Sequence, residues 1–206
     1  MTTEILRSLG ACSEAVNWAR QYPDPQAAWD ACPQGDWMLW YWERCIPREP
    51  WSEERKPLVR ATCTCARQAW EWMPAASLIA VEKIEAWTQG APAAYTALTD
   101  ATDAAAHANA VAYDSRYAFR TDAVARAAVA AEAAVGAASC TYDAIFVINV
   151  SCAVTFAARA AARAAAYSYV APAYHVIYTA AHRRMFSKCA NIIRAQQPVC
   201  PQKETL

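Results

Sequence analysis

Glycine is nearly missing from this chain, with four residues in 206, and histidine occurs three times. So few glycines leave no room for a phosphate-cradling loop, and neither a Walker loop, a G-x-G-x-x-G nor a G-x-S-x-G is present. Net charge is absent too, at +0, so no global field selects an acidic or basic partner. The start, "MTTEILRSLG", has no basic region, apolar run or cleavage site of a secretion signal. The longest strongly apolar stretch, residues 144–158, falls short of the roughly twenty residues a membrane span needs. A cytoplasmic protein with no membrane role is expected. Nine cysteines occur, an odd number, and none forms a C-x-x-C. Cys63 and Cys65, two apart on a helix, point away from each other, so no zinc site, other metal or cofactor is expected.

Alanine makes up about a quarter of the chain and the hydrophobic fraction is 56%. Alanine is the best helix former, so an all-α, multi-helix bundle is expected. Composition divides the chain. All nine tryptophans lie between Trp18 and Trp87, and residues 1–100 carry a net charge of −4. Residues 101–206 carry +4, and from 151 to 203 no acidic residue occurs. This gives a Trp/Cys-rich helical subdomain over 1–90 and an Ala-rich long-helix bundle over 91–206, the two packed together or continuous.

In the first half, prolines cut the helices short. Cys12, Ala15, Val16 and Ala19 share one face, and Pro23 and Pro25 end that helix. Asp36 stands where an N-cap belongs, ahead of "WMLWYWERCI". Ser52 with Glu53 and Glu54 opens a helix running to about Met73, and Gly90 suits the end of the next. In the second half, long helices are expected over 92–117, 121–139, 142–170 and 173–196. Their larger apolar residues must drive packing: Ile145, Phe146, Ile148, Val154, Phe156, Val176, Ile177, Phe186 and Ile192.

Residues 29–44 hold four tryptophans. Trp37, Trp40 and Tyr41 share a face, while Met38 and Trp42 fall on another side. A helix apolar nearly all round is normally buried, so most rings are assigned to the core. One or two are left for an exposed partner surface, Trp42 and Trp51 first.

The stretches "ACSEAVNWAR", "AAWDACPQGDWMLW" and "RKPLVRATCTCARQAWEW" resemble the Imm5-like family of bacterial immunity proteins, also found in phage genomes. The resemblance covers about residues 10–95, at Cys12, Trp18, Trp29, Asp30, Cys32, Asp36, Trp37, Trp40, Cys63, Cys65 and Arg67. It implies an all-helical, non-enzymatic protein that binds and neutralises a cognate toxin or defence factor. Inhibitors of nucleases often present acid to a basic site. Here only the first half is acidic, so Asp30 and Asp36, with Trp42 and Trp51, are the expected partner-binding residues.

Groups for catalysis are few. Asp103 and His107 stand one turn apart with Asp100 and Asp114 on the same stripe, the pattern of a solvated face. The basic tail supplies the alternative function. Arg159 and Arg163 on one helix, with Tyr174, Tyr178, His182, Arg183, Arg184 and Lys188 on the last, form an anion-binding surface if the two helices pack together. That would suit a phage or mobile-element counter-defence protein binding a nucleotide signal or nucleic acid. Alanine-rich helices with abundant aromatics also fit a homodimer.

Overall fold

A computed structural model describes residues 3–47, 49–92, 96, 100, 103, 107, 118–139, 151–166 and 173–202. The protein is an all-α, multi-helix bundle with no strand among the described residues. The helices are α1 (Thr3–Ser8), α2 (Ser13–Ala19), α3 (Pro25–Ala31), α4 (Gly35–Cys45), α5 (Lys56–Ala66), α6 (Ala75–Thr88), α7 (Ala118–Ser139), α8 (Ser151–Ala166) and α9 (Ala173–Gln196). Most of the expected 92–117 helix, and Ile145, Phe146 and Ile148, lie outside the described residues.

Local chemistry accounts for the breaks. Gly10 and Gly90 take positive φ (79° and 106°) just past α1 and α6. There Ala11 donates its N–H to Leu6 O and Ala91 to Ala86 O, satisfying end carbonyls. Asp24 caps α3, accepting the Ala27 N–H at 2.8 Å, and Pro25 occupies the first turn, where its missing N–H does no harm. The expected helix from Ser52 to Met73 is instead three pieces. A 3₁₀ turn at Glu53–Arg55 leads into α5, and a 3₁₀ stretch at Arg67–Trp72 leaves it with a kink at Ala69.

The central helix is α5, which packs against α4, α6, α7, α8 and α9. Leu58, Val59, Ala61, Thr62, Cys63, Cys65 and Ala66 are all buried, so the C-x-C pair spends both thiols as apolar filler on opposite sides. Around it α7, α8 and α9 pack in sequence. Their contact faces are alanine-rich (Ala127, Ala130, Ala131, Ala134, Ala157, Ala158 and Ala160) and fully buried. Methyl groups fill little space, so dispersion contacts come from close packing of the helices rather than from large side chains. Val154 and Phe186 are buried as expected, but Val176 is 67% exposed, and Ile193 takes a core place instead.

Three polar ties join the two halves. Arg55, 1% exposed, donates from Nε and Nη2 to Ala137 O (2.9 and 2.7 Å) and from Nη1 to Pro47 O (3.1 Å). Glu43, 6% exposed, stands 3.8 Å from the same guanidinium. Arg194 of α9 donates to Cys32 O at 2.7 Å, neutralising the carbonyl end of α3. The tail after α9 folds back: Trp29 Nε1 donates to Gln197 O (2.9 Å), and Gln26 Oε1 accepts the Cys200 N–H (2.7 Å). These ties hold α3 and the Pro47–Arg55 connection to α7, α9 and the tail; helices as short as α3 do not persist alone.

Candidate binding site

Helices α1 to α4 do not close completely. They leave a cavity of about 240 Å³ whose wall holds Trp18 from α2, Trp29 from α3, and Trp37, Trp40 and Tyr41 from α4. The three α4 rings share a face because they stand at i, i+3 and i+4. Trp18 holds its ring edge-on to Trp37 at 6.2 Å and tilted against Tyr22 at 4.7 Å. Trp40 is clamped by Arg44, whose guanidinium lies 4.1 Å from the ring centre and donates to Trp40 O at 3.3 Å. These rings are therefore held by their own neighbours, and the space between them is open.

Asp36 is the acid of this cavity. It sits one residue inside α4, after Gly35, and Gln34 holds the cap position. The expected N-cap role is thus corrected: the carboxylate lies in the first helical turn. Its Oδ1 is buried without a hydrogen-bond partner. Burial pushes the carboxyl up from 3.8 to about 6, and the N–H groups of Trp37 and Asp36 itself offset part of that rise. Cys32 lines the same cavity, and burial pushes its thiol to about 11, so it is no nucleophile at neutral pH. Aromatic walls with one carboxylate suit a cation carrying apolar surface.

A second cavity, about 410 Å³, lies on the other side of Asp36 and Trp37. Pro33, Gln34, Asp36 and Trp37 form one wall, and His182, Arg183, Phe186 and Ser187 of α9 form the other. Gly35 brings the walls together. A Cβ built there would come within 2.9 Å of both Ala190 N and Cys189 Cβ. On α9, Tyr174, Tyr178, His182 and Phe186 form a ladder at i, i+4 spacing, with successive centroids 6.0, 5.8 and 4.6 Å apart. Burial, then the Arg159 charge, lowers the His182 pKa from 6.5.

Of the residues expected to bind a partner, Asp36 lines both of these cavities and Asp30, Trp42 and Trp51 line neither. Asp30 is exposed on α3, accepts from Gln26 Nε2 at 2.8 Å, and lines neither cavity. Trp42 is corrected: at 3% exposure it faces the core and offers no surface. Trp51 is half-buried, edge-on to Trp87 at 5.3 Å, with φ of 58°. The exposed indole is Trp70, at 60%. Trp37 and Trp40, in the stretch whose rings were mostly assigned to the core, are half-buried and line the opening together with Trp18. Of the basic residues, Arg183 and His182 line the second cavity, while Arg159, Arg184 and Lys188 are exposed. The side chain of Arg163 lies outside the described part, and so does Asp114. Asp100 pairs with Lys83 at 2.7 Å, and Asp103 and His107 are exposed. No metal-ligand cluster of three His, Cys, Asp or Glu occurs among the described residues, and no described helix is long and apolar enough to cross a membrane. Comparison with protein-family models, with curated proteins and with solved structures finds no match.

Proposed function

We propose that this chain is a non-enzymatic binding protein that inhibits a partner protein by taking one of its basic side chains into the α1–α4 cavity. One observation carries the reading. The cavity is walled by Trp18, Trp29, Trp37, Trp40 and Tyr41, and Asp36 is the one acid in its lining. A lysine or arginine stem fills such a space, and its charge meets the ring faces and the field of the Asp36 carboxylate. The exposed acids Glu14, Asp24 and Asp30 on the neighbouring helices favour approach of a basic surface. The resemblance of residues 10–95 to Imm5-like immunity proteins supports a toxin as that partner.

The test is calorimetric titration of the product of the adjacent reading frame into the wild-type chain, Trp40→Ala and Asp36→Asn. Wild type binds, and each variant weakens binding by about a hundredfold, the scale of losing one member of a desolvated charge contact. Equal affinity in all three overturns the cavity as the contact. As a second arm, a trimethyllysine peptide quenches tryptophan fluorescence in wild type at about millimolar concentration and leaves Trp40→Ala unaffected.

A further inference from the structure

We propose that the outward side of α9 is a docking surface for the phosphate backbone of duplex nucleic acid. From Ala180 to Asn191 the exposed residues are Ala180, Arg183, Arg184, Ser187, Lys188 and Asn191. Their helical spacing gathers them into one stripe, turned away from the buried Phe186, Cys189 and Ala190. The stripe holds three cations and no acid, whereas an ordinary solvated face mixes both signs. Among the described residues, Arg183, Arg184 and Lys188 have no ion-pair partner. In the first half Arg55, Lys56, Arg67 and Lys83 each face an acid.

The surroundings supply no counter-charge. Residues 151–203, which include all of α8 and α9, contain no Asp or Glu. Arg159 of α8, also exposed and without an acidic partner among the described residues, adds to the same field. Its charge reaches His182 and lowers the pKa of that ring. A net charge of +0 for the whole chain thus conceals a local positive potential over these two helices.

The make-up of the stripe selects the partner. At the rise of an α-helix it is about 17 Å long, and a duplex carries one charge per roughly 1.7 Å of its axis, so several phosphates meet it together. Ala180, Ser187 and Asn191 are short and neutral, which lets the helix come close, and the Ser and Asn side chains can donate to phosphate oxygens. Protein partners are anchored on aromatic and large apolar residues, and bilayers on inserted ones. The stripe has neither; Val176, exposed on the same helix, lies a turn before it. A single strand is held by stacking its bases on aromatic rings. The rings of Tyr174, Tyr178 and His182 stand outside the stripe and turn their faces to one another, at interplanar angles of 20°. A duplex, whose bases are already stacked, needs no such platform.

The test is fluorescence anisotropy of a labelled DNA duplex of about 20 base pairs, read between about 50 and 200 mM salt. The proteins are wild type, the double variant Arg184→Ala with Lys188→Ala, the charge-keeping Arg184→Lys, and Trp40→Ala. Arg184 and Lys188 are exposed and unpaired, so their variants fold. Wild type binds with Kd of about 10 μM at the low-salt end, and log K falls against log salt with a slope of about −3, from the three cations of the stripe. The double variant brings the slope to about −1 and weakens low-salt binding about tenfold, while Arg184→Lys keeps the slope. No saturation by about 100 μM protein at low salt, or an unchanged slope in the double variant, overturns the proposal. So does equal competition by poly-glutamate, by phosphatidylserine vesicles or by the single strand, each matched in charge. Trp40 lines the α1–α4 cavity and lies far in sequence from the stripe, and Trp40→Ala binds the duplex as wild type does. Failure of this surface and failure of the partner contact are therefore read on different variants.

Discussion

Replacing Asp36 by Asn stabilises the protein at neutral pH, and the gain disappears in acid. In the folded chain the carboxyl gives up its proton near pH 6, whereas an ordinary aspartate does so at 3.8. Above pH 6 the native state therefore carries a charge that burial disfavours. At about 1.4 kcal/mol per tenfold in proton affinity, the gap amounts to about 3 kcal/mol. Partial exposure of the side chain trims this to about 2 kcal/mol. The charge also lies in the first turn of α4, where the helix field favours it, and losing that takes back about 0.5 kcal/mol. The expected gain at pH 7 is thus about 1–2 kcal/mol.

The sign with pH follows from linkage. Between about pH 4 and 6 the folded chain binds more protons at Asp36 than the unfolded chain, so its contribution to stability falls as pH rises through that window. It is flat above pH 6 and absent below about 4. His182 acts in the opposite sense. Its folded pKa is lowered, so it supports stability above about 6.5 and withdraws it as pH falls. That contribution is common to both proteins and cancels in their difference. Urea unfolding, followed by circular dichroism from pH 4 to 8, measures the difference. A gap that stays constant across the range, or a wild type more stable than Asp36→Asn at pH 7, refutes the buried-carboxylate argument. Paired with loss of partner binding, the expected result marks Asp36 as a group that destabilises the fold in order to bind.

Gly35→Ala destabilises by about 1–3 kcal/mol in urea, because its Cβ would lie 2.9 Å from the backbone of α9 and the two helices must part. Arg55→Met leaves Glu43 buried beside an unanswered Ala137 carbonyl and lowers stability by about 3–5 kcal/mol. Glu43→Gln keeps the Arg55 bonds to Ala137 and Pro47 and lowers it less, as the same unfolding curves will show. Trp29→Ala, at a fully buried ring that also bonds Gln197, lowers stability by about 3–5 kcal/mol. Trp70→Ala, at an exposed ring, changes it by no more than about 0.5 kcal/mol.

The fold class was legible because alanine abundance and glycine scarcity act residue by residue on helix formation. So was the stop at Gly90, where a single residue decides the backbone; the helix expected to run up to Pro23 and Pro25 ends instead at Ala19, and Pro25 opens α3. What could not be read is pairing between distant residues. Gly35 meets Cys189 and Ala190, and Arg55 meets Ala137, through the tertiary fold alone. Helix α4 shows the limit most clearly. Apolar residues surround it almost completely, so periodicity separates the Trp37–Trp40–Tyr41 face from the Trp42 face without saying which one meets the core. The structure buries Trp42 and Tyr41 alike and leaves Trp37 and Trp40 half-buried beside a void.

One signal within the sequence did bear on that choice. A face beside an aspartate is poorly placed for a dry core, because a buried unpaired carboxylate is disfavoured. Asp36 precedes Trp37 and follows the cysteine–proline break. It stands at the end of α4 nearest that face, and Trp42 lies more than a turn further on. Weighing the carboxylate together with the rings would have placed the opening on the Trp37 side. The two cavities then follow from one piece of geometry. Gly35 lets α9 approach the start of α4, and the short helices α1 to α3 pack on the opposite side. Asp36 and Trp37 are left as the partition between an aromatic chamber and a basic one.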